Sequence, residues 1–97
     1  MWYVELTKQA VKDLKKLKAA GLSPKAKSLV DVVSRDPFVR PPAYEPLVGN
    51  LTGFYSRRIN IQHRFVYKVD PEPFSKDGVD FEGTVRVVRM WTHYEGL

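Results

Sequence analysis

Glu45, Arg58, Arg64 and His93 are the side chains of this sequence hardest to explain as packing. They supply one carboxylate, two guanidiniums and one imidazole. Cleaving RNA through its own 2′-hydroxyl needs a base for that hydroxyl, an acid for the departing 5′-oxygen and cations to offset charge on the phosphorane. This set provides each, and it calls for no metal or other cofactor. Tyr94, beside the histidine, has a ring that can stack on a base or hydrogen-bond a phosphate. His63 reads as a surface residue or substrate contact rather than a proton donor. Each residue also has a structural reading. Glu45 can be the ion-pair partner of a nearby arginine, His93 a satisfied histidine at a strand end, and Arg57 a side chain that lays its stem along a sheet edge.

The elements that must bring these groups together start with two runs of alternating character, Phe54 to Ile61 and Arg64 to Val69. Successive strand residues face opposite ways, so Tyr55, Arg57, Ile59 and Ile61 share one face and Ser56, Arg58 and Asn60 the other. Burying Ile59 against Phe65 and Tyr67 predicts a register with Asn60 opposite Arg64 and a three-residue loop, Ile61 to His63. The same parity puts Arg58 and Arg64 together on the accessible face. The loop has no glycine to supply a left-handed residue.

Around the hairpin, Trp2 to Leu6 alternates as a short strand and Thr7 fits an N-cap. Ala10, Val11, Leu14 and Leu17 then recur at helical spacing, with five lysines elsewhere on that segment and Gly21 at its stop. Those lysines suit an RNA-facing stripe or an ordinary solvated face. Ser23 and Pro24 read as cap and first-turn proline of a second helix, with stripe Ala26, Leu29, Val30 and Val33, ending by Asp36 ahead of Pro37. Four prolines between residues 37 and 46 stiffen a loop that carries Glu45 towards the sheet. The segment from Asp70 to Gly83 is either a mobile loop or an extended hairpin tip. Thr84 to Thr92 reads as a central strand delivering His93 and Tyr94. The expected fold is α+β: an N-terminal strand and a helical hairpin packed on one face of a small, mainly antiparallel sheet, whose other face stays partly open.

The chain of 97 residues reads as one domain, 1–97. It has no cysteine and two histidines, which excludes a disulfide framework and argues against a structural zinc site. No apolar run is long enough for a bilayer span and the N-terminus lacks a cleavable leader, so the expectation is a cytoplasmic protein with no membrane partner. The net charge is +5, but residues 1–69 hold thirteen basic against five acidic side chains. A basic body of this kind suits a polyanion or a plain solvated surface.

EPLVGNLTGFYSRRINIQHRFVYKV together with the closing WTHY resembles the YoeB/Txe branch of the RelE-type toxins of bacterial toxin–antitoxin pairs. The hallmark runs of that branch are close to EPL, NLSGFWSRRI, HRLVY and a terminal HY. The resemblance implies a RelE-like fold and a ribosome-dependent mRNA endonuclease. Its partners would be the ribosome, mRNA and a cognate antitoxin that wraps the toxin; homodimerisation is left open. By resemblance Glu45 matches the general base, His93 the general acid, Arg58 and Arg64 the phosphate-binding arginines, and Tyr94 the aromatic beside the acid. The chain departs from the pattern at Val48, where relatives often have a basic residue, in the long acidic segment 70–83, and in the tail Glu95 to Leu97. The competing readings are a same-fold toxin that binds a protein such as DNA gyrase, and an RNA-binding module without chemistry.

Overall fold

A computed structural model gives the fold and describes residues 1–91. Thr7 caps the first helix as expected, its hydroxyl accepting from the Ala10 N–H. That cap joins β1 (Tyr3–Leu6) to α1 (Lys8–Ala19). The helix stops where Gly21 takes a left-handed φ of 75°, which lets the Leu22 N–H reach back to the Leu17 carbonyl. Leu22 packs against the core and serves as the N-cap of α2 (Ser23–Arg35), so Ser23 lies inside the helix and makes no capping hydrogen bond.

The buried stripe of α1 is rotated from the expected one. Ala10 and Leu17 are fully buried, but Val11 is 42% exposed and Asp13 is fully buried in its place. The reason is the carboxylate's work at the far end of the sheet, described below. On α2 the stripe Ala26, Leu29 and Val33 is buried, with Val30 at its margin.

Five strands form the main sheet in the order β1, β7, β4, β3, β2. They are β1, β2 (Tyr44–Pro46), β3 (Phe54–Arg58), β4 (Arg64–Asp70) and β7 (Thr84–Arg89). Only β1 and β7 run parallel; every other pair is antiparallel. Both helices pack on one face, where Phe65, Tyr67, Val85 and Val87 join the helical stripes in one core. The α+β reading therefore holds. Segment 70–83 resolves into a second small hairpin, β5 (Phe74–Lys76) and β6 (Val79–Phe81), turning on Asp77 and Gly78, both at positive φ. It is docked rather than loose, since Phe74 and Phe81 both meet the Tyr3 ring edge-on at 5.8 and 5.3 Å. Among the described residues no helix is long and apolar enough to cross a membrane.

The central register differs from the expected one by two residues. Arg58, not Asn60, stands opposite Arg64, and the loop between β3 and β4 runs from Ile59 to His63. Ile59 turns inward to 6% exposure while its N–H bonds the His63 carbonyl at 3.0 Å. Asn60 does the work a glycine would have done, its Oδ1 accepting from the N–H groups of Gln62 and His63. Ile61, placed in the loop by the sequence as well, is 86% exposed.

Candidate functional site

The proline loop places Glu45, and a buried arginine holds the loop. Arg57 is 1% exposed, not laid along an edge. Its guanidinium donates to the carbonyls of Pro37, Val39 and Pro42 and to the Tyr67 hydroxyl. The Tyr67 hydroxyl in turn donates to the Pro37 carbonyl at 2.7 Å, and burial pushes that phenol up although Arg57 opposes it. The Tyr44 ring lies 5.0 Å from the same guanidinium and 3.9 Å from that of Arg40. Tyr44 is thereby fixed on the helix side of the sheet, which by strand parity turns Glu45 to the opposite face.

On that face Glu45 pairs with Ser56, and Arg58, two residues further along β3, pairs with Arg64. Glu45 and Arg58 are thus diagonal neighbours, with backbones on the order of 7 to 8 Å apart. All three side chains line one cleft of about 630 Å³, together with Ser56 and, from the first turn of α2, Lys25. Two like charges directly opposite on a sheet cost stability. Here they stand without a carboxylate partner, because among the described residues neither arginine nor Glu45 belongs to an ion pair. The ion-pair reading of Glu45 is accordingly not what the described residues form.

Arg64 is aimed by its own loop. Its guanidinium donates to the carbonyls of Asn60 at 2.9 Å and Ile61 at 3.3 Å. His63, just before it, is a correction to the sequence reading. It is 3% exposed, not on the surface, and its ring stacks on Trp91 at 4.0 Å. Burial lowers its pKa, with the nearby Asp13 carboxylate opposing.

His93 and Tyr94 lie outside the described residues. What the fold fixes is the strand leading to them. β7 ends opposite the start of β4, with Arg89 paired to Val66, so the chain leaves the sheet at the Arg64 end. Asp13 secures that end. One carboxylate oxygen accepts from Arg89 Nε at 2.8 Å, the Met90 N–H at 2.9 Å and the Trp91 N–H at 3.3 Å. Burial raises the Asp13 pKa, but these bonds and one from Gln9 outweigh it and hold the carboxyl below its usual range. Sequence reading missed Asp13, though its place between Ala10 and Leu17 on the apolar side of α1 was a usable signal.

A family model described as the YoeB-like toxin of bacterial type II toxin-antitoxin system matches residues 6–94. The protein called Toxin YoeB in Synechocystis sp. is 49% identical over 41 residues, which is 42% of this chain and 48% of that protein. The chain thus spans about half the length of this curated relative. Among solved structures, a YoeB/ParE toxin from Agrobacterium tumefaciens superposes with a TM-score of 0.75 at 30% identity, covering 95% of this chain and 99% of that one. A YoeB-YefM complex from Staphylococcus aureus gives 0.71 at 29% identity, covering 97% and 99%.

Proposed function

Because the chain belongs to the YoeB-like toxins of bacterial type II toxin–antitoxin systems, we propose that it is a metal-independent endoribonuclease that cleaves mRNA on the ribosome, in the cytoplasm. One observation carries this reading: among the described residues, one carboxylate and two arginines without an ion pair, from three different strands, line one cleft. Glu45 takes the proton of the 2′-hydroxyl, whose oxygen attacks the neighbouring phosphorus. Arg58 and Arg64 neutralise the charge that builds on the non-bridging oxygens. The bond to the 5′-oxygen breaks, His93 protonates that oxygen, and the products are a 2′,3′-cyclic phosphate and a free 5′-hydroxyl. Tyr94 packs a base or phosphate beside the acid.

The ribosome supplies what this small cleft lacks, namely RNA held in line for attack, an orientation that contributes on the order of 7 to 11 kcal/mol. A binding module on the same fold, aimed at gyrase or at RNA without chemistry, has no need of a carboxylate facing two cations. The solved YoeB-YefM complex supports an antitoxin partner for this chain as well. Its acidic or amphipathic segment would cover the basic cleft.

Expression of the wild type and of His93→Gln in bacteria, with and without the adjacent gene, tests the proposal. Growth arrest by the wild type, lost in the variant and relieved by the neighbour, is expected. Arrest by His93→Gln equal to the wild type would overturn the assignment of the acid.

A further inference from the structure

The cleft has a third cation that the acid–base reading leaves unused. Lys25 reaches it from the first turn of α2. Among the described residues Lys25 takes part in no ion pair. The helix end beside it is arranged for an anion. The N-cap Leu22 supplies no side-chain acceptor and the first turn holds no acidic residue, so the positive end of the helix dipole is left uncompensated.

An independent observation lies on the cleft floor. The Ser56 hydroxyl is buried, the residue being 3% exposed, and among the described residues it has no hydrogen-bond partner. Buried hydroxyls are normally satisfied, and leaving one bare is costly. Ser56 sits between Glu45 on β2 and Val66 on β4, two residues from Arg58 on the same face, and it lines the cleft. The volume of about 630 Å³ falls within the range of roughly 300 to 1,000 Å³ typical of whole-ligand sites, more than a single phosphate fills.

We propose that Lys25 and Ser56 form a second phosphate subsite, which binds a phosphate flanking the scissile one and so fixes the register of the RNA against Glu45. The inference rests on the nuclease reading above. Arg58 and Arg64 serve the phosphate that reacts. Lys25 neutralises its neighbour across the cleft, and the Ser56 hydroxyl donates to an oxygen of the strand between them. Both are positioning residues.

The test is single-turnover cleavage of mRNA on programmed ribosomes by wild type, Lys25→Gln, Lys25→Arg and Lys27→Gln, the last an exposed lysine two residues along α2 and outside the cleft. Each mRNA carries one uncharged methylphosphonate at a phosphate flanking the scissile position. Lys25→Gln is expected to cleave about tenfold more slowly, the usual scale for one lost charged hydrogen bond. Lys25→Arg should restore most of the rate, and Lys27→Gln should match the wild type. One methylphosphonate position should slow the wild type by a similar factor and leave Lys25→Gln no slower than before. If the methylphosphonates slow the wild type and Lys25→Gln equally at every position, the subsite does not exist, although the nuclease reading stands. If the wild type does not cleave even the same mRNA with no methylphosphonate, both readings fall together.

Discussion

Neighbouring arginines at 57 and 58 point to opposite faces of β3 and so meet opposite environments. Arg57 is buried and gives its donors to three loop carbonyls and a phenol. Arg58 faces the cleft against Arg64 with no acidic partner among the described residues. Arg57→Ala should therefore cost about 3 kcal/mol in urea unfolding, by stranding buried carbonyls and freeing the proline loop. Arg58→Ala should leave stability unchanged or slightly raised while cleavage collapses. Equal stability losses in the two variants would refute this division. Parity made Arg58 and Arg64 legible in the sequence, because the register differs from the expected one by two residues and an even shift leaves every side chain on its face. The burial of Arg57 was not legible, since it depends on loop carbonyls that come within reach only in the folded chain. Asp13 and His63 make stability depend on pH in one direction. His63 titrates below its ordinary value of about 6.5 because burial disfavours its charge. The folded chain thus resists its protonation, and stability falls as pH drops below about 6.5 until the folded value is passed. Asp13 titrates below about 3.9, so its contribution is full above that value and is lost as pH falls through the depressed one. Urea midpoints measured against pH should fall in two stages. His63→Phe, which keeps a ring against Trp91, should remove the upper stage, and an unchanged profile would exclude His63 as its source.

The element that decides the geometry of the arginines is the loop between β3 and β4. Sequence reading shortens it to three residues because the alternation of β3 continues in sequence through Asn60. In the fold the alternation stops at Arg58, where Ile59 turns in to cap the core and Asn60 organises the turn through its side chain. Asn60 also presents the carbonyl that receives Arg64. Asn60→Ala is expected to cost about 1 to 2 kcal/mol and to slow cleavage by letting Arg64 swing away from the cleft. A variant with the stability loss but the wild-type rate would show that the Arg64 tether has no bearing on catalysis. β2 escaped notice for a different reason. Three residues that include a proline carry no periodic signal, and Pro46 is tolerated only because β2 is an edge strand. The hairpin of β5 and β6 was legible as one of two alternatives, and the aromatic cluster on Tyr3 decides between them.

At the scale of the whole molecule, α2, the proline loop and the strands β2 to β4 line a cleft that holds three cations. Lys25 comes from α2, Arg58 and Arg64 from neighbouring strands, and Glu45 is the one carboxylate lining that cleft among the described residues. The cation excess of the first 69 residues thus has a local meaning that composition alone did not give. The helical hairpin, the central strands and the placement of Arg58 and Arg64 followed from periodicity, and that of Glu45 from the stiff proline loop, whereas the inward pull of Asp13 and Arg57 followed from tertiary partners. Single-turnover cleavage of mRNA on programmed ribosomes, comparing wild type with Glu45→Gln, addresses the central assignment most directly. Glu45 is exposed on its edge strand, so the exchange should leave the urea midpoint unchanged. Removing a general base is expected to slow cleavage by about 10² to 10⁴. A folded Glu45→Gln protein that cleaves at the wild-type rate would contradict the role given to this carboxylate and, with it, the acid–base mechanism.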